Sequence, residues 1–191
     1  MEVIETKKVN GYTIEIYRDE DARSPREDCG FGTMLCSHRR YVLGDVQIKC
    51  QDDLNKILKR KDVKYLPLYL YDHSGITMST TPFSCPWDSG QVGIIYATHE
   101  DICKEFGPKG RALVHISKRA VSSAFKLMRQ EVKVYDAFLK GEVYGYEVKD
   151  PDGEVIDSCW GFICPDNLDY IIQEARNAIP QLSLPLDLEV A

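Results

Sequence analysis

The chain has 191 residues, of which 43% are hydrophobic and 28% are charged, and its formal net charge is −6. This composition excludes general disorder, because so many apolar residues can build a sizeable core. The acidic balance argues against a protein that coats nucleic acid non-specifically. Seven cysteines without a C-x-x-C pair favour free thiols in a reducing cytosol over a disulfide framework.

The first twenty residues alternate between polar and apolar, which predicts that no secretory signal peptide is present. The longest apolar runs, such as Leu66 to Tyr71, are too short to span a bilayer. We therefore expect a soluble protein of the cytoplasm that has no membrane partner.

The N-terminal part of the chain predicts a hairpin, a loop and a helix. Alternating runs at Glu2–Lys8 and Tyr12–Arg18 flank Asn10-Gly11, a dipeptide that accepts positive φ in a tight turn. Proline and glycine mark residues 19–32 as a loop. Apolar residues at helical spacing predict a short helix over residues 52–61.

The middle of the chain predicts three strands followed by a helix. The strands are Tyr65–Tyr71, Ile76–Ser79 and Val92–Ala97. Pro67 has no N–H, which indicates an edge or early strand position. Thr98 and Asp101 have the spacing of a capping box, and the helix that they begin should stop at Gly107.

The C-terminal part predicts a long helix, a hairpin and a last helix. Apolar residues recur every three or four positions over Ser117–Lys140. Strands Val143–Lys149 and Glu154–Phe162 are joined by a proline- and glycine-containing turn. The last helix covers Asp166–Ala178, and the tail, residues 181–191, is a docked strand or a frayed end.

Antiparallel hairpins separated by helices are typical of the α+β class. We predict one domain over residues 1–191, in which an antiparallel sheet packs with one long and about three shorter helices. The sequence contains no G-x-G-x-x-G motif and no P-loop, which argues against a nucleotide-binding α/β enzyme, and no cofactor is predicted.

Two loops concentrate reactive side chains. One contains Asp72 and His73, and the other contains Cys85 and Asp88. A Cys-His hydrolase needs a thiol near an imidazole that a carboxylate orients. The loops are about 13 Å apart along the intervening strand unless they fold toward each other.

Two observations weaken the hydrolase hypothesis. Pro86 has no N–H, so the residue after the thiol cannot donate to an oxyanion hole. Asp and Ser beside Gly are also what tight turns require, and Phe83 and Trp87 can be interpreted as side chains that fill the core. We therefore favour a function without catalysis.

Cys36 and His38 would share one face of a strand, as two zinc ligands do, and Cys29 and Cys50 could complete a tetrahedral site. The spacing matches no standard zinc module. A half-buried cysteine and a histidine bonded to backbone carbonyls are the favoured interpretation.

The long helix carries basic residues on one side, and the hairpin after it carries acidic ones. The basic residues are Arg119, Lys126, Arg129, Lys133 and Lys140. They could meet phosphates or an acidic protein, although a solvated face is the favoured interpretation. Between Glu142 and Glu174 there are nine acids against one lysine, including Asp150, Asp152, Glu154 and Asp157. Such an excess could bind a basic protein, although solvated surface is again the favoured interpretation.

Three segments resemble a family of small proteins from phages, plasmids and other mobile elements. The segments are SPREDCGFGTMLCSHRRYVLGD, YDHSGITMSTTPFSCPWDSGQVGIIY and VYGYEVKDPDGEVIDSCWGF, which together cover roughly a third of the chain. Family members often carry Trp and Asn after Pro-Arg-Glu, where this chain has Asp28-Cys29-Gly30. The resemblance implies a mobile-element origin and a host-cytoplasmic setting, but no established reaction.

Three functional hypotheses follow. The first is an accessory protein that binds and inhibits a host defence nuclease, of the anti-CRISPR or anti-restriction type, by presenting acids to a basic effector that handles nucleic acid. The second is a hydrolase that uses the loops of His73 and Cys85. The third is a nucleic-acid-binding module that uses the basic face of helix 117–140.

Overall fold

The computed structural model of the chain describes residues 2–27, 30–48, 50–107, 116–163 and 167–179. In chain order the elements are β1 (Val3–Val9), β2 (Tyr12–Arg18), β3 (Thr33–Cys36), β4 (Val46–Gln47), α1 (Gln51–Leu58), β5 (Val63–Asp72), β6 (Ile76–Ser79), β7 (Ser89–Thr98), α2 (His99–Phe106), α3 (Lys118–Leu139), β8 (Val143–Lys149), β9 (Val155–Ile163) and α4 (Asp169–Asn177). They fall into two compact units. Unit 1 comprises Met1–Ala22 and Gly141–Ala191, and unit 2 comprises Arg23–Lys140.

Unit 1 is an antiparallel sheet in the order β1-β2-β8-β9, with α4 packed on one face. Alternation along β2 places Ile14 and Ile16 in the core with Ile171 of α4. The predicted first turn is confirmed, because Asn10 and Gly11 have φ values of 52° and 85°.

Unit 2 is a five-stranded sheet in the order β4-β3-β7-β5-β6 that packs against α2 and α3. The β3–β4 pair is parallel and the other pairs are antiparallel. Gly93 allows β3 to approach β7, because a Cβ at this position would lie 2.0 Å from the Leu35 carbonyl oxygen. Met128 and Val132 of α3 contribute to the core of the unit.

The predicted α+β class is confirmed, and the described residues contain one long and three shorter helices. The strands form two sheets where the sequence indicated one, and strands β3 and β4 were not predicted. The expected edge or early strand position of Pro67 is wrong, because β5 lies between β7 and β6 and Pro67 is in its middle; the strand accommodates Pro67 because its pairing with β6 begins only at Tyr69. The single domain over residues 1–191 stays a prediction, and Cys29, Asp166 and residues 181–191 lie outside the described residues.

An ion-pair network around the largely buried Arg26 side chain holds the loop before β3 on α3. The Arg26 side chain is 6% exposed, and its guanidinium donates to both carboxylate oxygens of Asp45 at 2.8 and 2.6 Å. It also donates to Glu131 of α3 at 3.1 Å and to the Gly32 carbonyl at 2.6 Å. A guanidinium removed from water is stable only when its donors are satisfied in this way.

The two carboxylates of this network also bind backbone amides. Glu131 accepts from the N–H groups of Phe31 and Gly32 at 2.5 and 3.1 Å, and Asp45 accepts from the Met34 N–H at 2.7 Å. The network therefore fixes the backbone that leads into β3, as well as three side chains.

Replacement of Arg26 by Leu should lower the free energy of unfolding by about 3 kcal/mol, because two poorly hydrated carboxylates lose their counter-ion. Arg60→Leu is the matched control, since Arg60 and Asp62 form a pair whose side chains are 43% and 49% exposed. It should change the free energy of unfolding much less, because an exposed ion pair contributes little. Urea unfolding followed by circular dichroism measures both, and equal losses would contradict the role given to Arg26.

Candidate functional site

The two loops with reactive side chains lie side by side in unit 2. Strand β7 begins at Ser89, which pairs with Tyr71 near the end of β5. The Asp72 amide donates to the Asp88 carbonyl oxygen at 2.8 Å. The loops therefore fold toward each other, because the β5–β7 register brings their ends together.

Asp88 connects the thiol and the imidazole of the predicted hydrolase site. Its Oδ2 atom lies 3.6 Å from Cys85 Sγ and 3.5 Å from His73 Nδ1. A carboxylate thus lies beside the imidazole, as triad chemistry requires, but no hydrogen bond joins them in the described structure. However, the thiol contacts the carboxylate instead of the imidazole that would take its proton, and Pro86 supplies no oxyanion donor.

A cleft of about 440 Å³ lies beside these loops. Strand β7, the end of β5, the 87–90 loop and the segment after β3 form its walls, and polar groups line much of it: His38, Arg39, Arg40, Asp72, Asp88 and Gln91. Trp87 also lines the cleft and is 92% exposed. The interpretation of Trp87 as a core residue is therefore wrong, because the turn places it in solvent, whereas Phe83 is half-buried and packs on Tyr71.

The two arginines of the cleft have different environments. The Arg40 guanidinium forms an ion pair with Asp72 and lies 5.5 Å from the centre of the Tyr41 ring. Arg39 is exposed and has no ion pair within the part of the chain that the structure describes. Arg40 thus neutralises Asp72, and Arg39 keeps an uncompensated positive charge.

The structure separates the two residues of the predicted zinc pair. Strand β3 ends at Cys36, so Cys36 and His38 do not share a strand face, and the expectation of a common face is wrong. Burial, with a smaller contribution from Asp45, raises the pKa of the Cys36 thiol to about 12, which disfavours the thiolate that zinc binds. His38 Nδ1 accepts from the backbone N–H groups of Arg40 and Tyr41, both at 3.3 Å, whereas we expected the imidazole to donate to backbone carbonyl groups.

Cys50 is exposed, and Cys29 lies outside the described residues. Among the residues that the structure places, no three His, Cys, Asp or Glu side chains form a group that could hold a metal ion. The described residues therefore contain no ligand set for the predicted zinc site.

The residues of the predicted basic face that lie within α3 are all exposed: Arg119, Lys126, Arg129 and Lys133. Arg129 donates to the Phe125 carbonyl of the preceding turn at 3.3 Å, and Lys140 pairs with Asp136 at 2.7 Å. Arg129 and Lys133 also line a shallow pocket beside β6. The helix and its solvated basic face are as predicted.

The acids of the β8–β9 hairpin fall into two groups. Asp150 Oδ1 accepts from the backbone N–H groups of Asp152 and Glu154 at 3.0 and 2.9 Å, so it shapes the turn. Asp157 Oδ2 accepts from the Tyr146 hydroxyl at 2.8 Å. Asp152 and Glu154 are exposed at the tip, so their carboxylates are available to a partner.

Strand β9 exposes an apolar surface that the sequence did not reveal. Among the strands that the structure describes it is the outer strand of its sheet, and Val155, Ile156 and Trp160 are 50%, 44% and 36% exposed. Trp160 lies against Gly145 of β8, where a Cβ would come within 2.1 Å of the indole ring. In the sequence, this surface is indicated by the apolar pair Val155-Ile156 beside four acids. The sheet order is needed to show that β9 is the outer strand among those described.

Charge is divided sharply between the two units. Unit 1 contains 17 Asp and Glu against 5 Lys and Arg, a net charge of −12. Unit 2 contains 13 against 19, a net charge of +6. The overall value of −6 therefore conceals an acidic unit and a basic one.

Comparisons of the chain with protein-family models, with curated proteins and with solved structures gave no match. No helix in the described ranges combines the length and apolar character needed to cross a bilayer. The site is therefore interpreted from its own residues.

Thiol alkylation should follow this geometry. In native protein treated with N-ethylmaleimide, the exposed Cys159 should react at least about 100-fold faster than Cys36, which is 0% exposed and whose pKa is raised to about 12. Peptide mass spectrometry measures both rates. Unfolding in urea should abolish the difference, whereas equal rates in the native protein would show that Cys36 is accessible to reagents and metals.

Proposed function

We propose that the chain is a binding protein whose acidic unit 1 engages a basic protein partner along strand β9. The observation that carries this proposal is the edge position of β9, with its exposed apolar side chains next to the acidic β8–β9 turn. Outer strands present backbone N–H and C=O groups that a partner strand can pair with.

The apolar side chains supply the contact area of this surface. Val155 and Ile156 follow the acidic turn directly, and Trp160 lies further along the same strand. Aromatic residues such as Trp are frequent anchors at protein interfaces. Exposed apolar residues on an outer strand also invite self-association, and surrounding acids oppose it through like-charge repulsion.

Charge supports a basic partner. The net charge of −12 on unit 1 would repel nucleic acid and attract cationic protein surfaces, and it would accelerate association at low salt. Proteins that bind nucleic acid expose such cationic surfaces, and an acidic unit competes with the phosphates that they normally bind.

The mobile-element resemblance suggests which basic partner to examine. We propose an inhibitor of a host defence nuclease, of the anti-CRISPR or anti-restriction type, that acts in the host cytoplasm. The resemblance is the reason for proposing a defence nuclease as the partner. The acidic edge strand is the reason for proposing that the partner's surface is basic.

The double variant Asp152→Lys, Glu154→Lys tests the proposal, because neither carboxylate shapes the turn. Wild-type protein should inhibit cleavage by at least one purified Cas effector or restriction endonuclease, and the variant should inhibit it at least about tenfold less well, since two attractive charges become repulsive. The half-inhibitory concentration at several salt concentrations is the measurement.

Glu100→Lys, Glu105→Lys is the matched control, because it makes the same charge change at exposed positions of unit 2. This control should inhibit like wild type. Absence of inhibition by wild-type protein across the nuclease panel, or equal losses in both double variants, would contradict the proposal.

A hydrolase that uses Cys85 and His73 is the second candidate, favoured by their shared contact with Asp88. On this hypothesis Cys85→Ala and His73→Ala should each reduce ester hydrolysis at least about 100-fold without lowering the melting temperature. Release of p-nitrophenol from p-nitrophenyl acetate measures the rate, and Cys103→Ala is the control thiol. Rates that are equal in wild type and both variants would exclude this candidate for esters.

A further inference from the structure

We propose that the cleft of unit 2 binds one nucleotide, with its base stacked on Trp87 and its phosphate paired with Arg39. A free nucleotide and a nucleotide within a single strand present the same base and phosphate, so both fit this site. This site is distinct from the acidic edge of unit 1, so it stands or falls independently of the inhibitor proposal.

Trp87 has the position of a stacking platform. It is 92% exposed, yet the backbone that carries it is held in place on both sides. The Ser89 hydroxyl donates to the Cys85 carbonyl, and the Asp88 carbonyl accepts from the Asp72 amide at 2.8 Å. A large aromatic ring on a fixed turn offers a flat apolar face to a base at little cost in conformational entropy.

Arg39 supplies the charge for a phosphate. It lines the same cleft as Trp87 and has no ion pair within the described residues, whereas Arg40 is occupied by Asp72. Guanidinium groups bind phosphate oxygens through parallel hydrogen bonds. The net charge of +6 on unit 2 makes the approach of an anion favourable, in contrast to the acidic unit 1.

The remaining polar groups of the cleft favour a base with an exocyclic amino group. Asp88 Oδ2 contacts Cys85 and His73, which leaves Oδ1 able to accept a hydrogen bond. The Gln91 side-chain nitrogen donates to the Gly93 carbonyl at 3.2 Å, so its amide oxygen can also accept. Adenine, cytosine and guanine present amino donors that match these acceptors, and thymine does not.

The size of the cleft fits a single nucleotide. Its volume of about 440 Å³ falls in the range of ordinary small-molecule sites, roughly 300–1,000 Å³. The basic face of α3 is a separate surface, so substitutions can distinguish binding in the cleft from binding along the helix.

Fluorescence anisotropy with a fluorescein-labelled DNA strand of about twelve mixed bases tests the site at about 50 mM salt. Trp87→Ala should weaken binding at least about tenfold, and Trp87→Phe should restore part of it because the smaller ring still stacks. Arg39→Ala should weaken binding and reduce the salt dependence by about one phosphate contact. Oligo-dT should bind more weakly than oligo-dA or oligo-dC.

The controls are Tyr65→Ala, another exposed aromatic residue of unit 2, and Lys126→Ala, a cation on α3. Both should bind like wild type. Competition by AMP distinguishes a site for a free nucleotide from a site for a single strand. Full displacement of the labelled strand indicates the former, and no displacement indicates the latter. Absence of strand and AMP binding at low salt, or unchanged binding by correctly folded Trp87→Ala, would overturn the proposal.

Discussion

The Arg26 guanidinium is withdrawn from water and held by two carboxylates that lie 19 and 105 residues away along the chain. Desolvation of such a charge costs several kcal/mol, so the fold must supply counter-ions with good hydrogen-bond geometry. Asp45 and Glu131 can both reach Arg26 only when the segment before and after β3 lies along α3. The buried charge thus selects one placement of that segment over other apolar packings.

This placement continues into the cleft. The Gly44 amide donates to the Tyr135 hydroxyl of α3 at 3.0 Å, and the Ser37 amide donates to the Val92 carbonyl of β7 at 2.7 Å. The residues that follow Ser37 are therefore held beside β7, and Trp87 lies in the turn just before this strand. Arg39 reaches the cleft because of hydrogen bonds made elsewhere in unit 2, and not because its own side chain is fixed there.

Local signals predicted much of the fold. The Asn10-Gly11 turn, the Thr98 capping box and the apolar stripe of α3 each depend on residues within a few positions of one another. Strand β3 was missed because its four residues show no alternation and its pairing with β7 joins positions about sixty residues apart. The His73 and Cys85 loops were found as reactive segments, but their contact depends on the β5–β7 register, which no local pattern encodes.

The division of charge was hidden from the sequence for a similar reason. Unit 1 is discontinuous, and its N-terminal segment, Met1–Ala22, joins Gly141–Ala191 through the pairing of β2 with β8 and the packing of α4 on β2. An acidic excess is visible in the sequence after Glu142, whereas the acids of the first 22 residues are followed in the chain by the basic residues of unit 2. The net charge of −6 on the whole chain argues against contact with nucleic acid. The net charge of +6 on unit 2 does not, so nucleic acid is a plausible ligand for that unit alone. A complex between a nuclease and its nucleic acid presents both a cationic protein surface and phosphates. Under the functions proposed above, β9 of the acidic unit would contact the cationic protein surface. The cleft beside Trp87 in the basic unit would contact the phosphates.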